Sequence, residues 1–106
     1  MIAVLVRFHY ENGFNEARVR QVAEAARAKF EGMPGLRSKA FTIDPANREA
    51  LNFYVWDSEE AARAFFSPQL VDRVTELYGV RPTLQFVAVA ALVEKPSLVT
   101  RLGNGL

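Results

Sequence analysis

The chain carries one histidine and no cysteine, so the chemistry open to it is narrow from the start. Thiolate nucleophiles, disulfides and cysteine-based metal sites are all absent. His9 is the one side chain whose ordinary protonation range lies near neutrality, and it is a candidate base for a phenolic substrate. It shares strand parity with Arg7, which points both toward a sheet surface rather than a pocket. Tyr54 and Trp56 share a face of another strand with Asn52. A phenol there can donate to a substrate oxygen, or act as the base once ionised, and an indole can stack on an aromatic ring. Phe8, Phe41, Phe65 and Phe66 are candidates for the apolar wall of a cavity. Arg37 and Lys39 alternate along a strand and could hold an anionic oxygen, although such residues more often form a solvated edge. Tyr54 and His9 are therefore the candidate catalytic residues. Phe8, Lys39, Phe41, Asn52, Trp56 and Phe65 are the candidate substrate contacts. With a single histidine and scattered carboxylates no metal site is expected. Glycine-rich phosphate loops and nucleophile elbows are missing too.

These residues need elements to position them. Ile2, Val4, Val6, Phe8 and Tyr10 fall on one face of a first strand, residues 2–10, and Ala3, Leu5, Arg7 and His9 on the other. Asn12-Gly13 turns the chain and Asn15 caps a helix at about 15–31. Its apolar stripe is Val19, Val22, Ala23, Ala26 and Phe30. Residues 36–44 read as a second strand, Asp44-Pro45-Ala46-Asn47 as a turn, and 49–56 as a third strand. The last two pair as a hairpin. Asp57 with Glu60 resembles a capping box for a second helix, which Ser67-Pro68 interrupts and Gly79 ends. Residues 83–94 form a long apolar fourth strand.

The order β-α-β-β-α-β predicts an α+β, ferredoxin-like split βαβ domain over residues 1–96, with a mobile tail at 97–106. A four-stranded antiparallel sheet with helices on one face leaves its other face bare. Ala3, Leu5 and alternate residues of 83–93 keep that face apolar, which predicts a homodimer packed sheet to sheet. The 106 residues are half hydrophobic, with 13 basic and 12 acidic side chains and a net charge of +1. That balance gives no reason to expect a nucleic-acid partner. No apolar run reaches the ~20 residues of a membrane span. The N-terminus does not read as a signal peptide, so a cytoplasmic location is expected.

The stretch from Pro34-Gly35 to Phe66 resembles the antibiotic-biosynthesis-monooxygenase type of dimeric α/β barrel, and more narrowly the YdhR group. The resemblance is carried by Pro34-Gly35 entering the second strand, Lys39 within it, Tyr54 and Trp56 closing the third, and Asp57-Ser58-Glu59-Glu60-Ala61 opening the second helix. Asn12-Gly13 and Gly79-Val80 fit as well. It implies a homodimer with an apolar pocket in each subunit. It also implies oxidation of small aromatic or quinol-like compounds by molecular oxygen without metal or flavin. Relatives that degrade haem hold iron with a histidine on the second helix, which this chain lacks. Many members have glutamate where Tyr54 stands. The competing expectation is a non-enzymatic or stress-related protein that binds a small apolar ligand in the same pocket, and a third is isomerase or lyase chemistry on the same scaffold.

Overall fold

The computed structural model describes residues 1–95; the tail expected at 97–106 lies outside them. Its elements are β1 (Ile2–His9), α1 (Glu16–Phe30), β2 (Leu36–Asp44), β3 (Glu49–Trp56), α2 (Glu59–Phe65), α3 (Pro68–Tyr78) and β4 (Thr83–Ala88), with a 3-10 turn at Pro45–Asn47 between β2 and β3. The four strands form one antiparallel sheet in the order β2-β3-β1-β4. This is the ferredoxin-like split βαβ arrangement, with β3 inserted between β1 and β2.

Alternation on β1 and β3 divides the sheet cleanly. Val4, Val6, Phe8 and Tyr10 are buried under the helices together with Ala50, Asn52, Tyr54 and Trp56. Ala3 and Leu5 face the other way with their partners Val55 and Phe53, and Phe53 is 40% exposed. The open face also holds Arg7, His9 and Glu49, where Glu49 pairs with both Arg7 and His9. One layer of helices covers one face of the sheet, and an apolar strip across the other stays open.

Local chemistry sets the ends of the helices. The Asn15 side chain accepts from the Arg18 amide at 3.0 Å and starts α1. Phe14 meets Tyr10 edge-on, which fixes the entry of the chain into that helix. The cap of α2 is Ser58, whose hydroxyl accepts from the Ala61 amide. This corrects the expectation of Asp57 as the cap. Asp57 is tied elsewhere, through its amide to the Gly35 carbonyl and through its carboxylate to Arg37. Ser67 accepts from the Leu70 amide and Pro68 opens α3, so the expected interruption separates two helices.

The fourth strand is shorter than its composition suggests. The ladder with β1 runs out at Ile2 opposite Ala88, and one further bond joins the Val89 amide to the Met1 carbonyl. Residues 89–94 are apolar enough for a strand but have no neighbouring strand to pair with, and Val93 is 95% exposed. Among the described residues no helix is long and apolar enough to cross a membrane.

Candidate functional site

The register of β2 against β3 places the site. Leu36 pairs with Trp56, but Ser38 pairs with Val55, so Arg37 is an extra residue in a bulge. Beyond the bulge Lys39 lies opposite Tyr54, and Phe41 opposite Asn52. The extra residue separates two side chains that simple alternation puts together. Lys39 turns under the helices. Arg37 stays in the open and pairs with Asp57 at 3.2 Å and with Glu94 at 3.5 Å.

Two adjoining spaces share Lys39 in their walls. An open groove of about 680 Å³ runs between α1 and β2, bordered by Val19, Ala23, Arg27 and Glu31 on one side and Leu36, Ser38, Lys39 and Ile43 on the other. A small cavity of about 60 Å³ lies deeper, between sheet and helices, against Val6, Phe8, Tyr54, Phe65, Phe66 and Leu84. Phe30, Lys39, Phe41, Asn52 and Tyr78 border both. The groove is large enough for a drug-sized ligand. The cavity by itself would hold only a water or two.

Of the candidate substrate contacts, Phe8, Lys39, Phe41, Asn52 and Phe65 line these spaces, as does Tyr54. Two candidates lie elsewhere. Trp56 is 1% exposed and packs as core, stacked on Tyr54 and tilted against Phe65. It pairs with Leu36 at the end of the β2–β3 ladder, with Gly35 close to its ring, and lines neither space. His9 projects from the open face, where its Nδ1 lies 3.1 Å from Glu49. Strand parity sends it away from Phe8 and from the cavity behind Phe8.

Polar groups at the junction are few and connected. The Asn52 amide nitrogen donates to the Tyr78 hydroxyl at 3.2 Å, and the Tyr10 hydroxyl donates to the Tyr78 carbonyl at 2.7 Å. The Tyr78 ring stacks on Phe8 with centroids 3.7 Å apart. Lys39 Nζ sits over three rings, 3.3 Å from the Phe30 centroid, 4.0 Å from Phe41 and 4.3 Å from Tyr54. Ring faces attract a cation, but burial costs the ammonium more, and Lys29 repels it. The Lys39 amine is pushed down from 10.5 to about 7. Burial, helped by Tyr78, lifts the Tyr54 phenol well above its ordinary value, and burial likewise raises Tyr78 against the opposing hydrogen bond from Asn52. Burial thus holds Tyr54 in its neutral, hydrogen-bond-donating form and works against its ionising to act as a base.

Tyr78 and Phe30 were legible in the sequence only as members of apolar helical stripes. The polar position Asn52 on an otherwise apolar face was the one signal that a hydroxyl would come to meet it. Among the described residues no cluster of three histidine, aspartate or glutamate side chains is placed to hold a metal ion.

Comparison with known proteins adds the fold's relatives. No family model and no curated protein matches the chain. Solved structures do. A protein of unknown function from Nitrosomonas europaea superposes with a TM-score of 0.71 at 16% identity, over 91% of this chain and 95% of that one. The cofactor-independent oxygenase SnoaB from Streptomyces nogalater gives 0.61 at 18%, over 89% and 97%. The ActVA-Orf6 monooxygenase from Streptomyces coelicolor, in complex with nanaomycin D, gives 0.61 at 20%, over 89% and 92%.

The chain has the fold of the antibiotic-biosynthesis monooxygenases.

At these identities the likeness speaks for architecture. It covers the four strands and the helices that enclose the groove and cavity.

Proposed function

We propose that this domain is a cofactor-independent monooxygenase for a small, flat, quinol-like aromatic compound. The observation that carries the reading is the junction at Lys39. There a groove wide enough for fused rings adjoins an aromatic-walled cavity, and Lys39, Asn52 and Tyr78, which border both, stand with Tyr54 of the cavity wall where they can address a substrate's oxygens. The fold shared with SnoaB and ActVA-Orf6 supports the same chemistry, and the loop and strand features quoted above favour the YdhR group within it. A substrate CH₂ flanked by aromatic rings loses a proton to a base of the site. The carbanion then passes its electrons to molecular oxygen, and the net change is CH₂ + O₂ → C=O + H₂O. The protein's contribution is to orient the ring system, exclude water and stabilise the developing oxyanion with the neutral Tyr54 phenol.

The same reading makes the functional unit a homodimer. The apolar strip at Ala3, Leu5, Phe53 and Val55 pairs with its copy, which leaves the groove on the outer, helical side free for substrate.

An oxygen electrode and product analysis test the reading. Purified protein with anthrone is expected to consume oxygen and release anthraquinone in equal amounts. A Phe41→Trp variant, which fills the junction, is expected to slow this at least ten-fold. Saturable binding without oxygen uptake would instead favour the ligand-binding alternative.

A further inference from the structure

The oxidation just proposed needs a proton acceptor at the ligand, and the two residues that sequence reasoning offers do not serve. His9 stands on the opposite face of the sheet, and the Tyr54 phenol is held neutral by its burial. Lys29 lines the cavity and Arg20, Arg27 and Arg37 line the groove, but the basic residue that borders both is Lys39. Its Nζ is set among the faces of Phe30, Phe41 and Tyr54.

We propose that Lys39 is the catalytic base of this site, and that its substrate is a neutral phenol or an enolisable ring ketone whose acidic hydrogen meets Nζ at the mouth of the cavity. The proposal rests on the oxidative reading for the fate of the substrate, but not for the proton transfer itself.

The surroundings favour a neutral amine. Among the described residues Lys39 enters no ion pair. From α1 it faces Lys29, a like charge, while Glu24 and Glu31 farther along the groove lie near Arg27. From β3 it faces the Tyr54 phenol, and α3 adds the Tyr78 hydroxyl, already engaged by Asn52. On its own strand, Arg37 borders the groove with its charge engaged by Asp57 and Glu94. The elements α2 and β4 present only Phe65, Phe66 and Leu84 to the cavity. Burial and Lys29 together bring the amine to about 7, so near neutral pH it is poised both to take a proton and to return it.

The step balances. The substrate's hydrogen passes to Nζ as a proton and leaves the electron pair on the substrate. That pair forms the carbon–oxygen bond to O₂. The ammonium returns the proton to the peroxide so formed. The O–O bond then breaks as the remaining hydrogen on that carbon leaves with the outer oxygen as water, and the ketone remains.

The charge-neutral variant Lys39→Met and the charge-retaining Lys39→Arg, each checked for native circular dichroism, give the test. Oxygen uptake with anthrone is read beside the absorbance of bound 4-nitrophenol, a probe that is coloured only as the phenolate. In the unaltered protein, uptake is expected to rise with pH to a plateau with its midpoint near 7. Both variants are expected to lose at least about 100-fold. The probe is expected to bind as phenolate below its own ionisation range in the unaltered protein, and as the colourless phenol in Lys39→Met. Uptake that persists in both variants with the same pH profile would overturn the role of Lys39 and leave the oxidation standing. Phenolate formation that depends on Lys39 without any oxygen uptake would sustain the base and sink the oxidation. A probe that fails to bind, or binds in the same form with and without Lys39, would overturn the proposal.

Discussion

Lys39 and Tyr54 lie opposite each other on neighbouring strands, and burial acts on them in contrary directions. It drives the amine toward its neutral form and keeps the phenol from ionising. For Lys39 this has a consequence for stability. Its proton affinity is lower folded, about 7, than unfolded, 10.5. Below about 7 both states carry the proton and the folded state bears the full cost. Between the two values the unfolded chain holds more protons, so this group makes stability rise with pH. Lys39→Met is therefore expected to raise Tm most below pH 7, with the gain fading above 10. Thermal melts across that range check it, and a gain independent of pH would contradict it. At Tyr78 the expected effect is different. Tyr78→Phe keeps the ring stacked on Phe8 but leaves the Asn52 amide, only 4% exposed, without its acceptor. The expected loss is about 1–3 kcal/mol in urea unfolding. Residue chemistry was only partly legible in the sequence. The type and position of Lys39 marked it as a contact, but its burial depends on the bulge at Arg37, and nothing in the order of residues 36–39 announces a bulge.

Element boundaries followed the sequence wherever a local group sets them. Asn15, Ser67 and Gly79 do at the helix ends what their side chains or backbone freedom allow. They differed where a distant partner decides. The Asp57 carboxylate was drawn to Arg37, and Ser58 became the cap. The fourth strand stopped where β1 stopped, although residues 89–94 have a strand's composition. The entry to β2 depends most on a single residue. Gly35 has φ +82°, and a Cβ there would sit 2.9 Å from the Ala61 Cβ, so α2 and β2 approach through the glycine. Gly13 also has positive φ but faces open space. Gly35→Ala is therefore expected to destabilise by several kcal/mol, more than Gly13→Ala, which bears only the ~1 kcal/mol of left-handed backbone. Chemical unfolding of the pair checks the order, and equal losses would contradict the close-packing account.

At the scale of the molecule, one face of the sheet is finished and the other is not. Three helices cover Val4, Val6, Phe8, Tyr54 and Trp56, while Phe53 and Val87 stand at the surface of the opposite face. The alternation in β1 and β3 made both faces legible as apolar, and the count of helices showed that only one would be covered. If a second copy pairs with that face, Phe53→Glu places a charge in the contact. The variant is expected to remain folded and to run as a monomer by light scattering, beside an unaltered dimer. An unaltered protein of monomer mass at micromolar concentration would contradict the pairing.

The proposed function divides the two faces of the sheet: the helical side would take the small molecule and the open side a second copy of the chain. A titration of ¹⁵N-labelled protein with naphthol measures this directly, because every backbone amide reports its own surroundings. The amides expected to shift are those of Phe30, Lys39, Phe41, Asn52 and Tyr78 at the junction, with Ala3, Leu5, His9 and Phe53 unmoved. Shifts confined to the open face, with the junction silent, would contradict it.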